Sequence, residues 1–178
     1  MIRNIFNRDG DVELAGTVEA IFVTHEGSAP MVRSEEVETV ASCGIRGDRY
    51  CEGTGFWAHY GDVCQVTLIS GEDLDYIRGE TGIKVQDGEH RRNIITRGID
   101  LSKLRRRRFR VGEALLEFDR SRPPCKHVQD LTEPGMTRAL RNRGGICARV
   151  IESGRIRPGD PIETVPKGSS APRLSGKG

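Results

Sequence analysis

A cysteine that directly follows two prolines is the residue of this sequence best placed for chemistry. Cys125 lies in the segment SRPPCKH, and Arg120, Arg122, Lys126 and His127 put positive charge around it. Nearby positive charge favours a thiolate over a thiol, and the prolines limit the motion of the loop. A thiolate can attack an electrophile, carry sulfur or ligate a soft metal ion. The alternative is a half-buried loop cysteine with no chemical role.

The other four cysteines have weaker claims to a function. The five together form an odd set, and the start of the sequence lacks the apolar core of a secretion signal, so we expect no disulfide framework. No pair has the C-x-x-C spacing typical of structural zinc sites. Cys64 and Cys147 lie in apparent strands and are predicted to be small core residues. Cys43 and Cys51 flank a glycine-rich loop, where they can be exposed.

Two glycine-rich turns can each be interpreted in two ways. The stretch GIRGDR at 44–49 can present backbone N–H groups and Arg49 to an anion. A turn with an internal pair between Asp48 and Arg49 explains the same residues. Arg143 precedes two glycines, which allow a backbone to approach a ligand closely, although a helix C-cap explains them equally well.

Two arginine-rich stretches also point to polar ligands. Arg91 and Arg92 lead into a predicted strand, where the arginines could bind a phosphate and Asn93 could hydrogen-bond the edge of a heterocycle. The run RRRR at 105–108 resembles a nucleic-acid patch. Its one adjacent aromatic residue, Phe109, offers no stacking platform, and a solvated strand entrance is the alternative.

The elements that must position these residues are mostly short strands. The chain has 178 residues, 35% of them hydrophobic, which predicts one globular domain with one core. Apolar runs between turn residues predict strands at 18–23, 63–69, 93–96, 109–111, 114–118, 146–151 and 161–165. Gly112 indicates a bulge or barrel corner, and 26–61 is predicted to be mostly loop. We therefore predict a mostly β fold, a β-barrel or sandwich with a few short helices.

Helical signals are few. Ser70, with Asp73 three residues later, predicts the N-cap of a helix that Gly79 and Gly82 end. A second short helix is predicted at about 134–142, where apolar residues fall on one face.

The charge balance excludes several classes of protein. A net charge of +2, from 28 basic and 26 acidic residues, does not predict a general nucleic-acid or membrane binder. No apolar run approaches the roughly 20 residues that a membrane span needs. We expect a soluble, cytoplasmic protein, with a disordered C-terminal tail at 166–178.

Several stretches, taken in order, resemble the MOSC domain, the C-terminal domain type of molybdenum cofactor sulfurases. They are GIRGDRY at 44–50, QVTLISGEDL at 65–74, RRNIITRGIDLSKL at 91–104, RFRVGEALLEF at 108–118, RPPCKHVQDL at 122–131 and RNRGGICARVIESGRIRPGDPIE at 141–163. The resemblance is strongest to the small stand-alone bacterial members. It predicts a MOSC domain at 14–165, after an N-terminal segment at 1–13.

The resemblance implies a fold built around a β-barrel and a molybdopterin-type molybdenum cofactor. Cys125, the cysteine of the Pro-Cys motif, is then the reactive thiol, as the catalytic residue or as the molybdenum ligand. The pterin carries a phosphate and a planar hydrogen-bonding ring. We expect these groups to be bound by Arg49, Arg91, Arg92, Asn93 and Arg143.

Activities in the family fall into two classes. In one, a cysteine persulfide is a sulfur carrier that delivers sulfur to molybdenum or to another acceptor. In the other, the cysteine sulfur ligates molybdenum in a reductase of N-hydroxylated compounds. A third class, outside the family's chemistry, is a nucleic-acid-binding β-barrel that has kept the fold without the cofactor.

Each class implies different partners. The chain lacks the pyridoxal-phosphate domain of the fused sulfurases, so a sulfur carrier needs a separate cysteine desulfurase, which would hold the pyridoxal phosphate, and a molybdoenzyme as acceptor. A reductase needs an electron-donor protein, because the sequence has no flavin, haem or iron–sulfur motif. The chain also lacks the extra N-terminal β domain of the amidoxime-reducing relatives, so their substrates do not transfer to it.

Overall fold

The computed structural model describes residues 5–6, 12–61 and 64–166, and most of its regular structure is β. The strands are β1 (Ile5–Phe6), β2 (Val12–Glu13), β3 (Ala15–Val23), β4 (Val32–Ser34), β5 (Val37–Val40), β6 (Gly44–Ile45), β7 (Val66–Ser70), β8 (Ile94–Arg97), β9 (Arg108–Val111), β10 (Ala114–Ser121), β11 (Ile146–Glu152), β12 (Gly154–Ile156) and β13 (Pro161–Thr164). The helices are α1 (Gly71–Thr81), α2 (Lys126–Asp130) and α3 (Met136–Ala139), with 3-10 helices at Ala58–Tyr60 and Leu101–Leu104. The predicted N-terminal segment is described only at β1 and β2, and the predicted tail only at Pro166.

Seven strands close a β-barrel, which confirms the predicted fold class. Their order is β13-β9-β10-β11-β7-β8-β3, and β3 pairs with β13 to complete the circle. β4 extends the sheet beside β3, and β5, β6 and β12 form a small separate sheet. Within the barrel only β7 and β8 are parallel, because helix α1 connects them.

The long strand β3 contributes to two apolar clusters. Val18 and Ile21 belong to the cluster that fills the barrel, whereas Ala20 and Phe22 pack in the cluster beneath the helices. Strict alternation would not give this pattern, and the pairing with β8 shifts register between Val18 and Ala20. The bulge therefore keeps both faces of β3 buried.

Helix α1 begins as predicted and ends later than predicted. The hydroxyl of Ser70 accepts a hydrogen bond of 3.2 Å from the amide of Asp73. Gly79 lies inside the helix, and the chain leaves the helix at Gly82, which adopts a left-handed conformation with φ of 69°. No helix in the described ranges is long and apolar enough to cross a membrane.

Three other predictions about the elements need correction. The stretch 26–61, predicted to be mostly loop, contains the short strands β4, β5 and β6. Gly112 is not a bulge, because it begins the two-residue turn of the hairpin that joins β9 to β10. The helix predicted at 134–142 is shorter, and α2 was not predicted. These elements are short, so their sequences carry few periodic positions, and β5 also pairs with the distant strand β12.

The structure contains a disulfide that the sequence analysis did not expect, between Cys43 and Cys51. The turns that follow β6 bring Cys51 back beside the end of β5, with 4.8 Å between the two Cα atoms. This separation is within the range that a disulfide spans. Cys64 and Cys147 are buried as predicted.

Candidate functional site

Cys125 lies at the start of helix α2, four residues after strand β10 ends at Ser121. Its carbonyl oxygen accepts a hydrogen bond of 3.2 Å from the amide of Val128, which fixes the turn into the helix. The residue is half-buried and lines a cavity of about 40 Å³. We call this space the thiol cavity, lined by Gly27, Arg49, Tyr50, Phe56, Trp57, Arg91, Arg92, Arg122, Cys125, His127 and Val128.

Arg49 reaches the thiol cavity from the turn after β6, and it is only 4% exposed. Its guanidinium lies 3.3 Å from the carboxylate of Asp48, which has no exposed surface, and it donates a hydrogen bond of 3.0 Å to the carbonyl of Arg91. The internal pair that the sequence allowed is therefore present. Its guanidinium also lies over the ring of Tyr50, at 4.4 Å.

Arg91 enters the cavity just before strand β8. Its backbone adopts a left-handed conformation, with φ of 59°, which is uncommon for a residue other than glycine. The guanidinium donates hydrogen bonds to the carbonyls of Ala29, at 2.6 Å, and Gly27, at 2.7 Å. Arg91 therefore ties the loop after β3 to the wall of the cavity.

Arg92 links three backbone segments on the opposite wall of the thiol cavity. Its guanidinium donates hydrogen bonds to the carbonyl oxygens of Gly144, at 2.7 Å, His90, at 3.1 Å, and Arg122, at 3.4 Å. Arg122 directly precedes the two prolines and lies three residues before Cys125, so Arg92 helps to position the thiol segment.

The thiol cavity carries surplus positive charge. Four arginines are among its lining residues, and none of the lining residues in the described chain is acidic. Burial, with repulsion from Arg49 as the second cause, lowers the pKa of Arg91 to about 10, and burial also lowers the pKa of Arg92. Among residues 5–6, 12–61 and 64–166, the one buried carboxylate beside them is that of Asp48, behind Arg49. An anion is the ligand that such a cluster would bind best.

Lys126 and His127, which follow Cys125 directly in the sequence, contribute less positive charge to the thiol cavity than expected. Lys126 pairs with Asp130 at 2.8 Å on the exposed face of α2. Burial lowers the pKa of His127, which favours its neutral form, and its ring stacks on Phe56 with 3.7 Å between ring centroids. Most of the positive charge comes instead from the guanidiniums of Arg49, Arg91 and Arg92, which lie far from Cys125 in the sequence.

Aromatic side chains that the sequence analysis missed cover part of the cavity. Phe56 and Trp57 both line it, and Tyr60 packs on Trp57 with 5.5 Å between ring centroids. The signal was the run GFWAHYG, which concentrates aromatic residues between glycines in a chain with only 5% aromatic residues.

Asn93 is not at the cavity. The side chain is fully buried, and its Oδ1 accepts hydrogen bonds from the amide and the hydroxyl of Thr67, at 3.1 and 2.8 Å. Its Nδ2 donates to the carbonyl of Phe22 and to Asp48, both at 3.1 Å. All of the hydrogen-bonding capacity of the Asn93 side chain is therefore used inside the protein, which leaves it no free group for a ligand in this structure.

Arg143 lies at a different cavity, of about 800 Å³, which we call the large cavity. Its Nε lies 3.4 Å from a carboxylate oxygen of Asp73, and its guanidinium lies over the ring of Tyr76. Arg122 lines both cavities, so the two adjoin at this residue. The structure thus brings Arg49, Arg91 and Arg92 to the cavity of Cys125, and places Arg143 at the large cavity beside it.

The two glycines after Arg143 serve backbone packing. A Cβ on Gly144 would collide with the carbonyl oxygen of Arg122, and one on Gly145 would collide with that of Leu68. The amide of Arg122 also donates a hydrogen bond of 2.8 Å to the carbonyl of Gly145. This close approach holds the thiol segment against the start of β11. Neither glycine caps α3, whose C-cap is Leu140, and both line the large cavity.

The arginine run at 105–108 does not form an aromatic-lined surface. Phe109 has no exposed surface and packs in the barrel core. Arg108 forms an ion pair of 2.8 Å with Glu117 on the neighbouring strand. The run is the entrance to strand β9, which agrees with the alternative interpretation of a solvated strand start.

Solved structures share this fold at low sequence identity. The YuaD protein from Bacillus subtilis aligns with a TM-score of 0.69 and 17% identity, over 92% of this chain and 98% of that one. YiiM from Escherichia coli aligns with a TM-score of 0.58 and 20% identity, over 86% and 72% of the two chains. YiiM from Geobacillus stearothermophilus gives 0.60 and 18%, over 86% and 74%. No curated protein matches the chain.

The family model of the MOSC domain matches residues 56–163. This range contains Cys125, Arg91, Arg92 and most of the barrel, whereas Arg49 precedes it. Because the match spans more than half of the 178 residues and the barrel agrees with it, the chain belongs to the MOSC domain family.

Proposed function

We propose that the chain binds a molybdopterin-type molybdenum cofactor and that Cys125 is its reactive thiol, as a molybdenum ligand or as a sulfur carrier. The observation that carries this proposal is the set of arginines that line the thiol cavity around Cys125, with no acidic residue among the lining residues that the structure describes. Membership of the MOSC family, with which this cofactor is associated, supports the same proposal.

The charge of the cluster favours an anionic group. Three of its arginines are nearly buried, and the carboxylate of Asp48 offsets their repulsion only in part. Much of their hydrogen bonding goes to backbone carbonyls, which carry no net charge. A phosphate or an oxoanion in the cavity would add the missing negative charge.

The donor atom fits the metal. A thiolate is a soft, strong ligand, and it is also the group that holds sulfane sulfur. The bound cofactor would supply two-electron chemistry at molybdenum. The protein's own part would be to present Cys125 on a segment fixed by Arg92 and the prolines, and to keep the site positively charged.

The two adjoining cavities together offer space for the cofactor. The thiol cavity, about 40 Å³, accepts a group of a few atoms beside Cys125. The large cavity, about 800 Å³, is in the range of sites that bind a whole cofactor, and it shares Arg122 with the thiol cavity. Arg143 would then contact the cofactor from the large cavity, and Asn93 would act indirectly by holding Asp48.

Elemental analysis of the purified protein tests the proposal. The protein is expressed in a host that makes the cofactor, and wild type is compared with Cys125→Ser and with Lys126→Ala as a matched control. We expect near-stoichiometric molybdenum in wild type and in the control, whose side chain is on the exposed face of α2. Loss of molybdenum in Cys125→Ser alone identifies Cys125 as the molybdenum ligand. Absence of molybdenum from wild type and both variants contradicts cofactor binding.

A second assay separates the two roles of the thiol. A cysteine desulfurase and free cysteine are added to the protein, and the peptide that contains Cys125 is examined by mass spectrometry. A gain of one sulfur atom on that peptide indicates a persulfide carrier, whose partners are a desulfurase and an acceptor molybdoenzyme. A molybdenum-loaded protein that reduces N-hydroxylated compounds with an electron-donor protein indicates the reductase.

A further inference from the structure

Two buried cysteines outside the thiol cavity lie almost in bonding contact. The Sγ atoms of Cys64 and Cys147 are 2.7 Å apart, although the residues are 83 positions apart in the sequence. This distance is shorter than the roughly 3.5–4.0 Å at which nonbonded carbon atoms pack. Both side chains are almost completely buried.

The barrel itself brings the two thiols together. Cys147 is the second residue of β11, and it pairs across the sheet with Thr67 of β7. Cys64 lies two residues before β7, and the Sγ atom of Cys64 is 3.9 Å from the carbonyl oxygen of Val66, the first residue of that strand. Backbone pairing between β7 and β11 therefore fixes the contact.

The surroundings make the two thiols unequal. The hydrogen bond from Cys64 lowers the pKa of Cys147, and the charges of Arg122, Arg120 and Arg92 lower it further, against the effect of burial. The same hydrogen bond and burial raise the pKa of Cys64. We assign the attack to Cys147, because the charge of Arg92 also favours its thiolate, and Cys64 then resolves the mixed disulfide.

We propose that Cys64 and Cys147 form a reversible disulfide, with a low-molecular-weight disulfide as the oxidant. The Cys147 thiolate attacks one sulfur of the oxidant and releases its other half as a thiolate, which takes up the proton that Cys147 has lost. The sulfur of Cys64 then attacks the Sγ of Cys147 and releases the second thiol, which takes the proton of Cys64. The protein loses two electrons, and the small disulfide becomes two thiols.

With this pairing, four of the five cysteines have a sulfur partner. Cys43 and Cys51 are already joined, and the second disulfide would pair Cys64 with Cys147. Cys125 is left as the one cysteine of the described chain without a sulfur partner. The inference does not depend on the cofactor.

Peptide mapping of the full chain tests the proposal. Wild-type protein is equilibrated in glutathione buffers of graded redox potential, in the native state and after refolding, so that burial does not limit access. Samples are quenched in acid, remaining thiols are alkylated in denaturant, and the digest is analysed by mass spectrometry. We expect a peptide linked through Cys64 and Cys147 in oxidising buffers and its loss in reducing buffers. Cys125 should be alkylated or joined to glutathione, and never linked to another cysteine of the chain.

Two results would overturn the proposal. One is alkylation of both Cys64 and Cys147 in every buffer, before and after refolding. The other is a link from either residue to Cys125. A second measurement uses the Cys43→Ala/Cys51→Ala background, in which we expect a higher Tm for oxidised than for reduced protein. Addition of Cys147→Ala should remove that difference, and its persistence would also contradict the pairing.

Discussion

The side-chain amide of Asn93 donates a hydrogen bond of 3.1 Å from Nδ2 to the carboxylate of Asp48. Asp48 is the only buried acidic residue beside the arginine cluster in the described part of the chain. The same carboxylate oxygen accepts the amide of Thr24, at 3.1 Å, and faces Arg49 at 3.3 Å. Asp48 is therefore fixed from three directions. This arrangement orients Arg49 toward the thiol cavity and partly offsets the positive charge there.

Replacing Asp48 should destabilise the protein strongly. Asp48→Asn removes the negative charge and leaves Arg49 buried without an ionic partner, which costs about 3 kcal/mol or more in the free energy of unfolding. Urea denaturation measures the change. Glu38→Gln is the matched control, because it breaks an exposed pair with Arg46, and its stability should equal that of wild type. Equal stability of Asp48→Asn and wild type would mean that the pair is not buried in solution.

His90 should make stability fall between pH 7 and pH 5. Burial and the charge of Arg92 lower the pKa of His90 to about 3, below its ordinary value of 6.5. In this interval the unfolded chain therefore binds a proton that the folded protein does not, and stability decreases as pH falls. The loss at pH 5 is about 2 kcal/mol from this one group.

Unfolding in urea at pH 7 and pH 5 measures this dependence. His90→Asn can keep an acceptor for the amide of Arg92, which bonds Nδ1 at 2.9 Å, and should flatten the curve. The lowered pKa of His127 acts in the same direction, so His127→Asn is the comparison variant. If the free energy of unfolding of His90→Asn falls between pH 7 and pH 5 as much as that of wild type, His90 is solvated.

The sequence predicts the barrel and the thiol segment, because both depend on local patterns. Apolar runs between glycine turns mark the strands, and the Pro-Cys motif marks Cys125. It does not predict what Arg92 does, since its acceptors Gly144 and Arg122 lie 52 and 30 residues away. The same limit explains Asn93, a polar residue before a strand that has either a buried or a ligand-binding role until its neighbours are known.

Gly144 should be intolerant of a side chain. In Gly144→Ala the methyl group would collide with the carbonyl of Arg122 and displace the thiol segment, at a cost of about 1–3 kcal/mol in the free energy of unfolding. Gly79→Ala is the control, because a methyl group there would meet no atom within 4 Å beyond the adjacent backbone of helix α1. That substitution should stabilise the protein by about 0.5–1 kcal/mol. Thermal and urea unfolding measure both, and equal stability of the two variants would contradict the close packing at Gly144.

The stack of Phe56 on His127 gives a prediction for the titration of the histidine. Burial lowers the pKa of His127, and Phe56 covers one face of its ring at a tilt of only 14°. Phe56→Ala should expose the ring to water and raise this pKa toward its ordinary value, as measured by NMR of the imidazole during a pH titration. Tyr60→Ala is the control, because Tyr60 contacts Trp57 rather than His127 and should leave the titration unchanged. An unchanged pKa of His127 in Phe56→Ala would mean that Phe56 does not cover the His127 ring in solution. The lowered pKa of His127 would then need another cause.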